Sequence, residues 1–141
     1  MRLEGEGHRD DPSILSGDRL LRLLPPHWVI FDTNQRRYRA SSQAFGADEL
    51  SVYIESLLAS AGLTFAETID QEGWSGATIT AGEARAESFV VLRKDDPLAF
   101  PHPRNVAHGL VVGKKKRTIR ERLAALSVLV VEGNLSKAQR K

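Results

Sequence analysis

The chain has 141 residues, 41% hydrophobic and 27% charged, the composition of one ordinary globular domain. It holds no cysteine, which excludes disulfides, thiolate metal sites and cysteine nucleophiles. It has no run of about 18 uncharged apolar residues, and its opening Met-Arg-Leu-Glu-Gly-Glu-Gly-His is too charged and acidic for a signal or transit peptide, so a cytoplasmic protein without a membrane partner is expected.

Residues 1–12 are polar and glycine-bearing, and a flexible tail is predicted there. A single domain is expected over 13–133, followed by a basic tail over 134–141. Ser16 or Asp18 caps a predicted short helix over 19–24, which Pro25-Pro26 stops. The aromatic and β-branched run 27–31 reads as a strand, Asp32-Thr33-Asn34 as a turn, and 35–40 as the return strand. Asp48 opens the clearest predicted helix of the first half. Leu50, Ile54, Leu57, Leu58 and Ala61 fall at helical spacing and Gly62 closes it.

One further helical turn is predicted over 64–69. Gly73 and Gly76 bracket Trp74 in a loop, and 77–80 reads as a strand. Residues 81–87 have helix-forming composition, with Thr80 as cap and Glu83 completing a capping box. The apolar run 88–92 is a buried strand, and the three prolines within 94–105 make a long extended loop. Residues 107–112 read as a strand ended by Gly113. The last helix begins near Thr118, with Ile119, Leu123, Leu126 and Val130 on one face. Its end, 127–131, is β-branched and fits a strand as well. No repeat of fixed period is present. The expected fold is α+β: a small, mainly antiparallel sheet with two principal helices packed on one face.

Charge is unevenly placed. Residues 1–113 carry 11 Lys/Arg against 16 Asp/Glu, and residues 114–141 carry 9 against 2. That split points to an electrostatic task for the C-terminal end. Lys114, Lys115, Lys116, Arg117, Arg120 and Arg122 precede or occupy the start of the last helix, where cations oppose the helix dipole. Glu121 offsets Arg117 one turn away. An anion beside Lys114, Lys115, Lys116, Arg117 and Arg120 would resolve the conflict, and the competing reading is a face kept charged against solvent. The run is not a phosphate-binding Walker loop, because the first glycine is missing and no Ser/Thr follows the first lysine.

Arg36, Arg37 and Arg39 surround Tyr38, an arrangement used on single-stranded nucleic-acid surfaces, or equally a charged strand edge that resists aggregation. Arg85, after the small residues of 78–84, is a candidate carboxylate or phosphate clamp. His108, followed by Gly109 at a strand start, is the candidate catalytic acid/base, since imidazole chemistry suits neutral pH. His102 and His108 with Asp95 or Asp96 lack any compact metal signature, so no metal and no cofactor are assigned.

The segments 39–45, Leu50-Ser51-Val52, 80–85 and 107–115 resemble small bacterial proteins of uncharacterised function. The resemblance spans roughly residues 19–131 and implies a bacterial cytoplasmic setting without supplying an activity.

Two functions are therefore expected, the first as the leading reading and the second as its alternative. One is a non-catalytic module that docks nucleic acid or an acidic protein partner on the basic helix start. The other is a small enzyme acting on a nucleotide or phosphorylated substrate, with His108 as acid/base and Arg39, Arg85 and Lys114 as clamps.

Overall fold

The computed structural model describes residues 9–69, 72–94 and 107–133. Its strands are β1 (Arg19–Leu24), β2 (Val29–Asp32), β3 (Arg37–Ala40), β4 (Glu49–Ile54), β5 (Ser75–Thr80), β6 (Val90–Arg93), β7 (His108–Val112) and β8 (Val128–Val131). Its helices are α1 (Glu55–Ser60), α2 (Phe65–Thr68), α3 (Ala81–Ala86) and α4 (Arg117–Leu126), with 3-10 turns at Pro26–Trp28 and Ser42–Phe45. Six strands form one sheet in the order β6-β7-β4-β1-β5-β8, and each neighbouring pair is antiparallel. β2 and β3 make a separate hairpin. The fold is thus α+β with an antiparallel sheet, as the patterning implied.

Two predicted helices are strands. Residues 49–54 bury Leu50, Val52 and Ile54 in strict alternation, and only 55–60 coil into α1. Leu50 and Ile54, four apart, satisfy a period of 2 as well as 3.6, so the apolar spacing did not separate the two. Residues 19–24 form β1, held between β4 and β5, where Leu20, Leu21 and Leu24 are buried on both faces of the sheet. A central strand buried on both faces loses its alternation and reads as a continuous leucine run. The end of the last predicted helix separates into β8, as its β-branched residues allowed: Ser127 closes α4 and the chain turns directly into the edge strand.

Opposed residues in antiparallel pairs share a face. The registers Leu20↔Ile54, Leu20↔Ile79, Leu50↔Val111 and Val91↔Val111 gather one apolar set, and Phe45, Phe89, Leu123 and Ala124 join it in a single buried cluster. The registers Leu21↔Tyr53, Tyr53↔His108 and Ser51↔Leu110 define the other face. Gly109 lies mid-strand in β7. A Cβ there would stand 2.7 Å from Ile54 Cδ1 and 2.8 Å from the Leu92 carbonyl oxygen, so only glycine lets β6 approach.

The outer edge of β6 is covered by the chain that precedes β1. Asp11 N donates to Val91 O (2.8 Å), and Val91 N donates to the Asp10 carboxylate (2.9 Å). Asp10 and Asp11, assigned to the tail by composition, are tied down by this pairing. Residues 1–8 and 134–141, the rest of the expected tails, lie outside the described residues. No helix among the described residues is long and apolar enough to cross a membrane.

Candidate functional site

The central sheet opens into a fork. β1 pairs with β4 only at Leu20↔Ile54 and Leu21↔Tyr53, whereas β1 follows β5 to Leu24↔Ser75 and β4 follows β7 back to Glu49↔Val112. Beyond Leu21↔Tyr53 the two strands no longer pair, and the gap between them is crossed by a side chain. Arg22 supplies it. Its Nε donates to Ala44 O (2.8 Å) and its Nη1 to Ser51 O (3.2 Å). Its guanidinium lies 5.3 Å from the Trp28 ring centre. No carboxylate among the described residues forms an ion pair with it, and burial lowers its pKa.

A cleft of about 260 Å³ occupies the fork. Arg22, Leu23, Pro25 and Trp28 form one wall, and Ser51, Tyr53 and Trp74 the rest. The chain has two tryptophans and two tyrosines, and both tryptophans and one tyrosine face this space.

Ser51 carries the cleft to His108. The two stand on adjacent strands, diagonally placed on the same face, with Ser51 Oγ 2.9 Å from His108 Nε2. On the far side of the ring, His108 Nδ1 lies 2.9 Å from Lys94 O. A carbonyl only accepts, so Nδ1 donates its proton there and Nε2 is left to accept from the Ser51 hydroxyl. Lys94 N in turn donates to His108 O (2.8 Å), fixing the β6–β7 end that carries the orienting carbonyl. The Tyr53 ring stands 5.9 Å from the imidazole. A hydroxyl, an acceptor nitrogen and an orienting acceptor in line is the arrangement that raises the nucleophilicity of an alcohol.

The expected anion-binding residues are dispersed. Lys115 is corrected outright: it is buried, and its ammonium turns inward to Gly113 O (2.7 Å), Val111 O (3.1 Å) and Asp48 O (3.3 Å), 4.5 Å from the Phe89 ring centre. Burial lowers its pKa to about 8, opposed by the Asp48 charge and assisted by Arg22. Lys114, Lys116 and Arg117 remain exposed at the start of α4, with Glu121 3.6 Å from Arg117 as anticipated. Arg120 is half-buried against Gly46, and its Nε has no hydrogen-bond partner. Arg122 pairs with Glu87 at 2.7 Å.

Arg36 and Arg37 are exposed at the hairpin. Arg39 is bound to Asp32 (2.9 Å) and to Ala40 O (2.9 Å). Arg85 is bound to Asp10 (3.0 Å) and to Asp11 O (2.9 Å), beyond a capping box that Thr80 and Glu83 form as predicted. Arg39, Arg85 and Lys114, the clamps expected for His108, do not line the cleft. Arg22 does, and spacing did not single it out. Its signal in the sequence was a lone cation inside Leu-Leu-Arg-Leu-Leu, where a buried charge demands a reason. Ser51 carried no such signal, because its value comes from the β4–β7 register.

His102, Asp95 and Asp96 lie outside the described residues. Among the described residues no three His, Asp or Glu side chains are grouped to hold a metal ion. The chain matches no family model, no curated protein and no solved structure.

Proposed function

We propose that the protein is a small enzyme acting on a nucleotide or phosphorylated substrate, with His108 as acid/base and Ser51 as the hydroxyl it activates. The observation that carries this reading is the Ser51–His108–Lys94 line, of which Ser51 borders the cleft. In the reaction, Ser51 Oγ forms a bond to phosphorus while the bond to the leaving oxygen breaks. The hydroxyl proton passes to His108 Nε2 and from there to the leaving oxygen. Lys94 O moves no proton and serves as a positioning group. A bacterial, cytoplasmic setting belongs to the same reading, from the sequence resemblance and the absence of cysteine.

A fluorophosphonate tests it directly. Oγ–P forms, P–F breaks, fluoride leaves and His108 takes the proton. Peptide mass spectrometry is expected to place the adduct on Ser51, and His108→Gln to slow labelling by about 10²–10⁴-fold. A protein whose Ser51 labels no faster than in the denatured chain, or equally fast with His108→Gln, would not be this enzyme.

A second reading rests on the exposure of Lys114, Lys116 and Arg117 at a helix start with no acid in its first turn. There the surface docks nucleic acid or an acidic protein partner, with Arg36 and Arg37 as further contacts. Anisotropy of a short RNA or duplex DNA, titrated with salt, tests it: affinity falls steeply with salt if phosphates are neutralised, and no binding at low salt removes nucleic acid from the reading.

A further inference from the structure

We infer that the cleft at the β1–β4 fork binds a nucleoside monophosphate, its phosphate at the Arg22 guanidinium and its base against the tryptophan walls. The class of ligand rests on the cleft alone; the placement of phosphorus at Ser51 rests on the catalytic reading above.

Charge supplies the first argument. A partly buried guanidinium pays for lost hydration unless an anion or several acceptors replace the water. Arg22 has two backbone carbonyls and no carboxylate among the described residues, which leaves a planar fork of N–H donors uncommitted. A planar donor fork on the wall of a cleft with no other charged lining residue matches a phosphate, whose oxygens accept two parallel bonds.

Shape supplies the second. Trp28, Trp74 and Tyr53 wall the cleft in a chain with only 6% aromatic residues. Flat π-faces take planar rings with little preference among bases. The guanidinium over Trp28 joins the charged and the flat parts into one surface. At about 260 Å³ the cleft is smaller than the roughly 300 Å³ at which drug-sized sites begin. The cleft is open to solvent on one side, so base and phosphate are held against its walls with the ribose at its mouth. Arg22 Nη1 reaches Ser51 O, so a phosphate on this guanidinium sits beside the residue whose hydroxyl meets His108.

Because both tryptophans line the cleft, intrinsic fluorescence reports on this site. Adenosine and uridine monophosphates, excited at the red edge of tryptophan absorption, are expected to quench it saturably at up to millimolar concentration. Adenosine, ribose 5-phosphate and inorganic phosphate should each bind at least about tenfold more weakly, a loss of about 1.4 kcal/mol. Arg22→Gln should bring the monophosphate down to the nucleoside's affinity. Arg22→Lys, which keeps the charge without the planar fork, gives the same comparison in case the glutamine variant does not fold. Trp74→Leu should weaken the monophosphate and leave ribose 5-phosphate unchanged.

Equal affinity for adenosine and its monophosphate, inorganic phosphate binding as well as the nucleotide, or no saturable quenching by any monophosphate would each overturn the inference. The outcomes separate from those of the catalytic reading. Nucleotide binding with Ser51 unlabelled by the fluorophosphonate keeps the ligand and removes the chemistry. Labelled Ser51 with silent nucleotides does the reverse.

Discussion

Replacing Lys115 with methionine removes an ammonium and keeps its stem, so the effect isolates what the charge does. The ammonium donates to three backbone carbonyls at 2.7–3.3 Å and lies on the Phe89 ring. Charge-assisted bonds of this kind contribute about 1.5–3 kcal/mol each and the ring contact about 0.5–1. Against that stands the cost of taking an ammonium out of water, several kcal/mol, large enough here to bring the pKa from 10.5 to about 8. Asp48 O keeps the Gly113 amide as a donor (2.9 Å), so the net loss on substitution is set by Gly113 O and Val111 O, about 1 kcal/mol each, for a total of about 2 kcal/mol. In a chain of this size that is a fall in Tm of roughly 6–10 °C.

Lys114→Met and Lys116→Met, both at exposed positions, should stay within about 0.5 kcal/mol of the parent. The difference also has a pH signature. Below pH 8 both the folded and the unfolded chain hold the Lys115 proton and the burial cost is fully present. Between about 8 and 10.5 the unfolded chain holds a proton the folded one has released, so this group's contribution to stability rises with pH. The gap between wild type and Lys115→Met should therefore widen from pH 8 to pH 10 in thermal and urea melts followed by circular dichroism. A Lys115→Met protein as stable as Lys114→Met, or a gap that narrows with pH, would refute the inward lysine.

Two further substitutions probe how the fold carries the site. Gly109→Ala forces a methyl to within 2.8 Å of the Leu92 carbonyl, and β6 must move away from β7. A destabilisation of about 1–3 kcal/mol is expected, with loss of fluorophosphonate labelling at Ser51 in the fraction that remains folded, because the adjacent His108 shifts with its strand. Asp10→Ala strips the acceptor from Val91 N and from Arg85. It should cost about 1 kcal/mol and raise the hydrogen-exchange rate of the Val91 amide, measured by NMR, while leaving amides of the central strand β1 protected; an unchanged Val91 amide would show that the edge is held by other means.

Much of this chain is legible without coordinates, for local reasons. Turn residues and β-branched runs mark the β2–β3 hairpin, β5, β6 and β7 to within a few residues. The Thr80–Glu83 capping box and the Arg117–Glu121 pair are fixed by spacings of three and four, which a helix converts into contacts by its own geometry. These elements suffice for an α+β class with antiparallel strands. What escaped was decided between distant segments. β1 is a strand because β4 and β5 flank it, and Leu50 to Ile54 alternate because β7 pairs alongside.

The direction of a long side chain is likewise absent from its spacing. Lys114, Lys115 and Lys116 are alike as letters, and only the turn at Gly113, with its φ of 148°, sends the middle one toward three carbonyls. The candidate site belongs to the same class of facts. Its base was visible as a histidine at a strand start. Its hydroxyl, its guanidinium and its aromatic walls come from β1, β4 and two separate loops, and they share a cleft only because the central sheet parts between β1 and β4.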